Sequence, residues 1–269
     1  MSPFKIVGIL NTTPDSYFDG GQFNQVDTAV KRAGEMLAEG ADIIEVGGES
    51  TGPGSRDVSL EEERERTMSI IQAILKAYPD THVSIDSSKS ALAAEALDVG
   101  AMMVNDVTAG RADPEMFSVM AQRGVPLVLM YAKDGSPRTT INEVRYDDVI
   151  TVVKEFLKER KESAMAAGVN PSHIILDPGM GHFVSSDPQY SFDILARLAE
   201  LLDLGCPLFV SPSRKSFLAG SENLSTEDRL PGTVAASAIA VLHGAHYIRT
   251  HDVREVRRGC EVAMNIREN

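Results

Sequence analysis

The sequence has no tryptophan and only two cysteines, Cys206 and Cys260, among 269 residues. Two cysteines so far apart exclude a disulfide scaffold and a cysteine metal site, so we expect a reducing compartment, the cytoplasm. The longest stretch without a charged residue, 230–248, contains a proline, two glycines and two histidines and is a poor membrane span. The N-terminus shows no basic region followed by a long apolar stretch, so we expect no export signal.

Basic residues are scarce relative to acidic ones. The chain has 26 Lys and Arg against 39 Asp and Glu, a net charge of −13. Such a charge excludes nucleic acid as an expected partner, and an anionic substrate would need a local basic cluster. Hydrophobic residues make up 43% of the chain, enough for a sizeable core.

Short apolar segments alternate with longer amphipathic ones along the whole chain, and no low-complexity linker interrupts them. We therefore predict a single domain over residues 1–269. Eight short segments, rich in Ile, Val and Leu, are predicted to be strands: 4–10, 42–46, 82–86, 102–105, 126–130, 173–177, 207–210 and 246–249. Eight strand–helix units in roughly 250 residues predict an α/β fold of the (β/α)8 TIM-barrel type. An open doubly wound sheet is the alternative.

Local signals mark the ends of the predicted helices. Ser59 and Glu62 have the spacing of a capping box, in which each residue bonds to a backbone N–H of the other. Asp113 is a cap before Pro114, which is expected at the first helical position. Glycines follow six predicted helices, where a left-handed backbone closes the last turn: Gly40, Gly100, Gly124, Gly168, Gly205 and Gly244.

Polar side chains stand where the predicted strands end, and in a TIM barrel these ends form the active site. The set comprises Asn11, Glu45, Asp86, Asn105, Asp177, Ser213, Lys215, Arg249 and His251. Carboxylates and amides beside a cluster of basic residues suggest a site for a polar, planar heterocycle held next to an anionic group.

Seven motifs at these positions together resemble the dihydropteroate synthase family. They are GILNTTPDSYFDGG (8–21), DIIEVGGESTGPG (42–54), VSID (83–86), VNDV (104–107), LDPGMG (176–181), SRKSF (213–217) and IRTHDV (248–253). The resemblance implies a transferase of folate biosynthesis that joins 6-hydroxymethyl-7,8-dihydropterin pyrophosphate to p-aminobenzoate and releases pyrophosphate with help from Mg²⁺. It also implies a homodimer formed through outer helices.

The resemblance assigns roles residue by residue. It implies catalytic roles for Lys215, Asp177, Asp86 and Asn105, which would bind the pterin and border the aminobenzoate site, and a metal contact from Asn11. It implies substrate contacts from Thr51, Pro53, Met130, His182, Ser213, Arg214, Arg249 and His251. Segments 11–21 and 47–54 are expected to close over the diphosphate.

The chain departs from the family pattern in the second loop. Glu45 stands where aspartate is usual, and Gly52 stands where an arginine normally helps to hold the diphosphate and the aminobenzoate carboxylate. Arg56, four residues further on, is the candidate to supply the missing charge.

A second group of departures lies around the expected aminobenzoate wall. Tyr131 replaces a usual histidine, residues 182–184 replace a usual Phe-Gly-Lys, and residues 211–213 replace a usual Gly-x-Ser. Some of these features are similar to the sulfonamide-insensitive branch of the family, although the Phe-Gly insertion of that branch is not identifiable after Gly110.

Two other functions stay open at this point. A methyltetrahydrofolate methyltransferase shares the barrel and the pterin pocket, but it needs no diphosphate site. A pterin-binding paralogue without catalysis would fit Gly52 and His182, although the pterin residues themselves are all present.

Overall fold

The computed structural model describes residues 4–12 and 22–267. Most of the first expected closing segment, residues 13–21, lies outside the described residues. The described strands are β1 (Lys5–Asn11), β2 (Ile43–Gly47), β3 (His82–Asp86), β4 (Met103–Asp106), β5 (Leu127–Met130), β6 (Ile174–Asp177), β7 (Phe209–Val210) and β8 (Tyr247–Thr250). Each begins and ends within about two residues of its predicted position, because short apolar runs are a direct signal of buried parallel strands.

The strands form one parallel sheet in the order β6-β5-β4-β3-β2-β1-β8-β7. Its two edges meet, because Leu176 on β6 forms a bridge with Leu208 just before β7 and donates its N–H to Pro207 O at 2.9 Å. The sheet therefore closes on itself. The TIM barrel is confirmed and the open doubly wound alternative is wrong.

Helices cover the outside of the barrel. They are α1 (Gln22–Glu39), α2 (Leu60–Ala77), α3 (Ser90–Asp98), α4 (Met116–Arg123), α5 (Val149–Ala166), α6 (Gln189–Ala196), α7 (Leu230–Leu242) and α8 (Val253–Arg267). Short 3₁₀ turns lie at Pro171–His173, Gly181–Phe183, Leu198–Leu204, Ser216–Ala219 and Glu227–Arg229. None of the described helices combines the length and apolarity that a bilayer-spanning segment requires.

The predicted helix ends are confirmed in part. Ser59 Oγ accepts from Glu62 N at 3.1 Å, but the Glu62 carboxylate bonds to Arg56 and Arg66, so only half of the capping box forms. Helix α4 begins at Met116 rather than at the predicted proline. All six predicted terminal glycines adopt positive φ, as a left-handed helix end requires.

The interior of the barrel is apolar at one end and polar at the other. Six side chains fill the lower part: Val7, Ile43, Met103, Val128, Ile175 and Phe209. Since strand side chains alternate, residues two positions further on point into the same interior at the carboxyl end. In this way Ile43 leads to Glu45, Met103 to Asn105, Ile175 to Asp177 and Tyr247 to Arg249. The alternation of side chains along the strands therefore places these polar residues at the same end of the barrel.

Candidate active site

The guanidinium of Arg249 lies between two carboxylates at the mouth of the barrel. Its Nη2 donates to Asp86 Oδ2 at 2.6 Å, and its Nε donates to Glu45, which is 1% exposed. Burial raises the pKa of Asp86, and the positive charge of Arg249 opposes that rise. The side chains come from β8 and from the neighbouring strands β2 and β3, so Arg249 reaches past β1, which lies between β8 and β2 in the sheet. The resemblance implied a substrate contact for Arg249, whereas the structure engages its guanidinium with carboxylates.

Asn105 is attached to the same network and leaves one acceptor open. Its Nδ2 lies 3.4 Å from Glu45 Oε1. The other carboxylate oxygen, Glu45 Oε2, lies 3.4 Å from Ser84 Oγ. The Asn105 side-chain oxygen is buried without a hydrogen-bond partner. Buried acceptors are nearly always satisfied, so this oxygen is available for an N–H of a ligand.

Asp177 and Lys215 form the second charged pair of the mouth. Burial raises the pKa of Asp177 to about 6, against the pull of Lys215, and its Oδ1 accepts from Gly179 N at 2.8 Å. Burial lowers the pKa of Lys215 to about 8. Its Nζ lies 5.0 Å from the centre of the Phe183 ring. With Glu45, Asp86 and Arg249, the five charged groups sum to one negative charge when all are ionised.

His251 connects Asn11 to Ser213 on the other side of the mouth. His251 Nδ1 lies 3.0 Å from Ser213 Oγ, and its Nε2 lies 3.4 Å from Asn11 Nδ2. Burial and then the charge of Arg249 lower the pKa of His251 to about 4, so the ring is neutral at pH 7. A cleft of about 750 Å³ opens here, and its lining includes Asn11, Ser213, Lys215 and His251.

Arg214 lines the same cleft but is engaged elsewhere. Its Nη2 and Nε donate to Asp252 at 2.6 and 2.9 Å. Its backbone has φ of 54°, in the left-handed region. The charge of Arg214 is therefore paired with the carboxylate of Asp252. The contact between Arg214 and a substrate stays a prediction.

Two loops meet above the mouth through pairs that sequence reasoning missed. Glu49, in the loop after β2, accepts from Lys89 Nζ at 2.6 Å and from Arg138 Nη1 at 2.5 Å. Arg138 belongs to the loop after β5, and in the same loop Thr139 N donates to Thr51 O at 3.1 Å. From sequence alone, a charged residue in a loop is expected to face solvent, so no local signal predicted these contacts.

The other residues of the second loop lie further from the barrel interior. Thr51 lines a small cavity beside Asp86, whereas Pro53 is exposed. The Arg56 side chain, 64% exposed, donates to Glu62 at the start of α2. Arg138, rather than Arg56, is thus the cation that the structure places against Glu49; the proposed substitution by Arg56 stays a prediction.

The expected aminobenzoate wall is built from residues at or just after the ends of β4, β5 and β6. Met130, Val107 and Ala132 are buried together, and Phe183 packs against them. The neighbouring His182 has a buried Nδ1 without a partner, and burial, followed by the charge of Lys133, lowers its pKa. The wall is therefore apolar, with one imidazole nitrogen free to bond.

Comparison with known proteins agrees with this geometry. Residues 7–251 match the family model described as pterin binding enzyme. A dihydropteroate synthase of Synechocystis sp. is 42% identical over 96% of this chain and 88% of its own length. The Escherichia coli K12 enzyme of the same name is 38% identical over 98% and 93%. A solved dihydropteroate synthase from Xanthomonas albilineans with 4-aminobenzoic acid superposes with a TM-score of 0.91 and 34% identity, covering 99% of this chain and 94% of that one. The chain therefore belongs to the pterin-binding enzyme family, and its relatives there are dihydropteroate synthases.

Proposed function

We propose that this chain transfers the (7,8-dihydropterin-6-yl)methyl group of 6-hydroxymethyl-7,8-dihydropterin pyrophosphate to the amino group of p-aminobenzoate. The products are 7,8-dihydropteroate and pyrophosphate, as in folate biosynthesis. One observation carries the proposal: three largely buried carboxyl groups and an unpaired acceptor, Asn105 Oδ1, lie with Arg249, Lys215 and His251 in one barrel mouth. The similarity to dihydropteroate synthases supports it.

The pterin is assigned to the carboxylate side of the mouth. The amino-pyrimidine edge of a pterin presents N–H donors, which match the carboxylate of Asp177 and the open oxygen of Asn105. Both groups are almost fully buried, and a buried acceptor without a hydrogen-bond partner destabilises the folded protein. A bound pterin would supply the missing partners. Asp86 borders the same space through its contact with Arg249.

The charges of the mouth suit the bond changes of the reaction. As the methylene–oxygen bond breaks, its electron pair leaves with pyrophosphate and positive charge develops on the pterin methylene. The net negative set around Asp177 stabilises that charge. The aniline nitrogen forms the new bond to the methylene carbon and then loses a proton to water. We assign Ser213 and His251 to the leaving group. Because Nε2 of the neutral imidazole accepts from Asn11 Nδ2, its one N–H, at Nδ1, donates to Ser213 Oγ, and the Ser213 hydroxyl can then donate its own proton in a hydrogen bond to pyrophosphate.

Mg²⁺ fits Asn11, although the residues described here contain no group of three or more His, Cys, Asp or Glu that could hold a metal. Asn11 is exposed at the end of β1, and its amide offers one hard oxygen. Mg²⁺ retains several waters and takes phosphate oxygens, so a single protein oxygen is sufficient. When bound, the ion would neutralise charge on the leaving pyrophosphate.

We further propose that the chain acts in the cytoplasm as a single-domain subunit of a homodimer. Three large apolar side chains on outer helices support the dimer: Ile239 on α7 and Val262 and Ile266 on α8 are 41%, 61% and 63% exposed. Exposed apolar groups on adjacent helices are typical of a surface that another protein covers.

The test is a reaction of purified protein with the pterin pyrophosphate, p-aminobenzoate and Mg²⁺. We expect stoichiometric release of pyrophosphate and dihydropteroate. Binding of the pterin without turnover would instead identify a paralogue that lacks catalysis. Methyl transfer from methyltetrahydrofolate to a corrinoid protein would identify the methyltransferase alternative.

A further inference from the structure

Lys133 is a buried cation that the proposed chemistry does not use. It lies in the loop after β5, residues 131–148, and its side chain is 4% exposed. Four acceptors surround its Nζ: Asp134 Oδ2 at 2.7 Å, Thr139 Oγ1 at 3.0 Å, Thr140 O at 2.8 Å and His182 O at 2.7 Å. Removing an ammonium group from water is costly unless such partners replace its hydration. The loop is therefore organised around this side chain.

Three donors from this loop converge on two successive carbonyls of the loop after β6. Lys133 Nζ and Thr139 Oγ1 both donate to His182 O, each at 2.7 Å. The backbone N–H of Lys133 donates to Phe183 O at 2.9 Å. Because peptide units are planar, fixing two adjacent carbonyls restricts the direction in which the Phe183 side chain leaves the backbone.

The ring of Phe183 in turn covers part of the active site. It packs on Val107, Met130 and Ala132, and its centre lies 5.0 Å from Lys215 Nζ. This contact is within the range of a cation–π interaction and keeps water from one side of the ammonium group. A change in the backbone at 182–183 would displace the ring and open Lys215 to solvent.

We propose that Lys133 is a positioning residue that fixes the His182–Phe183 backbone and thereby places the Phe183 ring over Lys215, on the side of the site that receives p-aminobenzoate. The assignment to p-aminobenzoate rests on the proposed function. The backbone restraint itself rests only on the contacts around Lys133, so the two can be tested separately.

The principal variant is Lys133→Met, which keeps an unbranched side chain but removes the charge and all three N–H donors. The matched control is Lys161→Met, because Lys161 also donates to a backbone carbonyl, Leu204 O at 2.6 Å, but lies on the outer helix α5. We expect Lys133→Met to raise KM for p-aminobenzoate about tenfold and KM for the pterin pyrophosphate by less than about twofold. The control should change neither.

A second readout needs no activity. Hydrogen exchange of the peptide spanning 181–186 should become faster in Lys133→Met and remain unchanged in Lys161→Met. In a Phe183→Leu background, Lys133→Met should add little to KM for p-aminobenzoate, because residues that act through one another are not additive.

Equal increases in both KM values, additive effects of Lys133→Met and Phe183→Leu, or unchanged exchange at 181–186 would each overturn the proposal. If Lys133→Met does not fold, Thr139→Val removes one donor to His182 O and should show the same pattern more weakly; unchanged exchange and KM in that variant would also overturn it. A wild-type protein without synthase activity would refute the proposed function, while the exchange comparison would still decide whether Lys133 restrains the loop.

Discussion

Replacing Arg249 by methionine should expose how much the carboxylate network depends on its cation. The variant leaves Glu45, 1% exposed, and the side chain of Asp86, 14% exposed, without their shared partner. Removing one member of a buried ion pair costs about 3–5 kcal/mol. The protein can limit this cost by protonating a carboxyl, and holding a carboxyl whose unfolded-state pKa is near 4 in the neutral form at pH 7 requires about 4 kcal/mol relative to the unfolded chain. Both routes predict a loss of about 3–5 kcal/mol near neutral pH.

The loss should decrease as the solution becomes more acidic. A carboxyl whose folded-state pKa is raised destabilises the folded protein above its unfolded pKa, and this penalty declines as pH falls through the folded value. At pH 5 the cost of protonating one carboxyl is only about 1.4 kcal/mol. We therefore expect the difference in unfolding free energy between wild type and Arg249→Met to shrink to about 1–2 kcal/mol at pH 5.

Urea unfolding followed by circular dichroism at pH 5, 7 and 8 provides the measurement. Arg257→Met is the matched control, since the Arg257 side chain is 19% exposed against 18% for Arg249, but its partner Asp42 is 34% exposed. Adding Glu45→Gln to Arg249→Met removes one buried charge and should recover at least about 1 kcal/mol. A loss that is independent of pH, or no larger than that of Arg257→Met at pH 8, would refute the reasoning.

Four further predictions concern activity. Lys215→Ala and Asp177→Asn should each lower kcat/KM by at least about 10²-fold, because each removes a buried charge beside the reacting atoms; wild-type turnover in both would remove them from the site. In wild type, kcat/KM should rise through a pKa of about 6 as Asp177 ionises and fall through about 8 as Lys215 loses its proton, and a profile that is flat from about pH 5 to pH 9 would contradict these roles. Asn11→Ala should raise the Mg²⁺ concentration needed for half-maximal activity, whereas an identical magnesium titration would show that Asn11 does not contact the ion. His182→Phe should lower the ratio of sulfonamide Ki to p-aminobenzoate KM, because it removes the open Nδ1 beside the apolar wall; an unchanged ratio would mean that His182 does not discriminate.

The positions of the main site residues could be predicted because they depend on local pattern. Glu45, Asn105 and Asp177 each follow an inward apolar residue at a spacing of two, and that spacing alone places them in the barrel mouth. The strand boundaries could be predicted because they too depend on local sequence pattern. The resemblance then supplied the roles that pattern could not.

The partners of these residues could not be predicted. Arg249 reaches Glu45 and Asp86 across the mouth, which depends on strand register and on barrel closure rather than on sequence spacing. Lys133 and Arg138 lie in the loop 131–148, which has no hydrophobic period, and their contacts join residues 49 and 89 positions apart. Such pairs are decided by how the loops fold over one another, and single-sequence reasoning has no measure of that.

The apolar filling of the lower barrel has a consequence for proton traffic. Val7, Ile43 and Phe209 belong to a layer of six buried apolar side chains beneath the charged groups, and none of those six side chains can relay a proton. The proton released when the aniline nitrogen becomes an amine linkage must therefore leave by the same opening through which both substrates arrived. Product departure and proton departure then share a single route, so any ligand that blocks this opening would stop both at once.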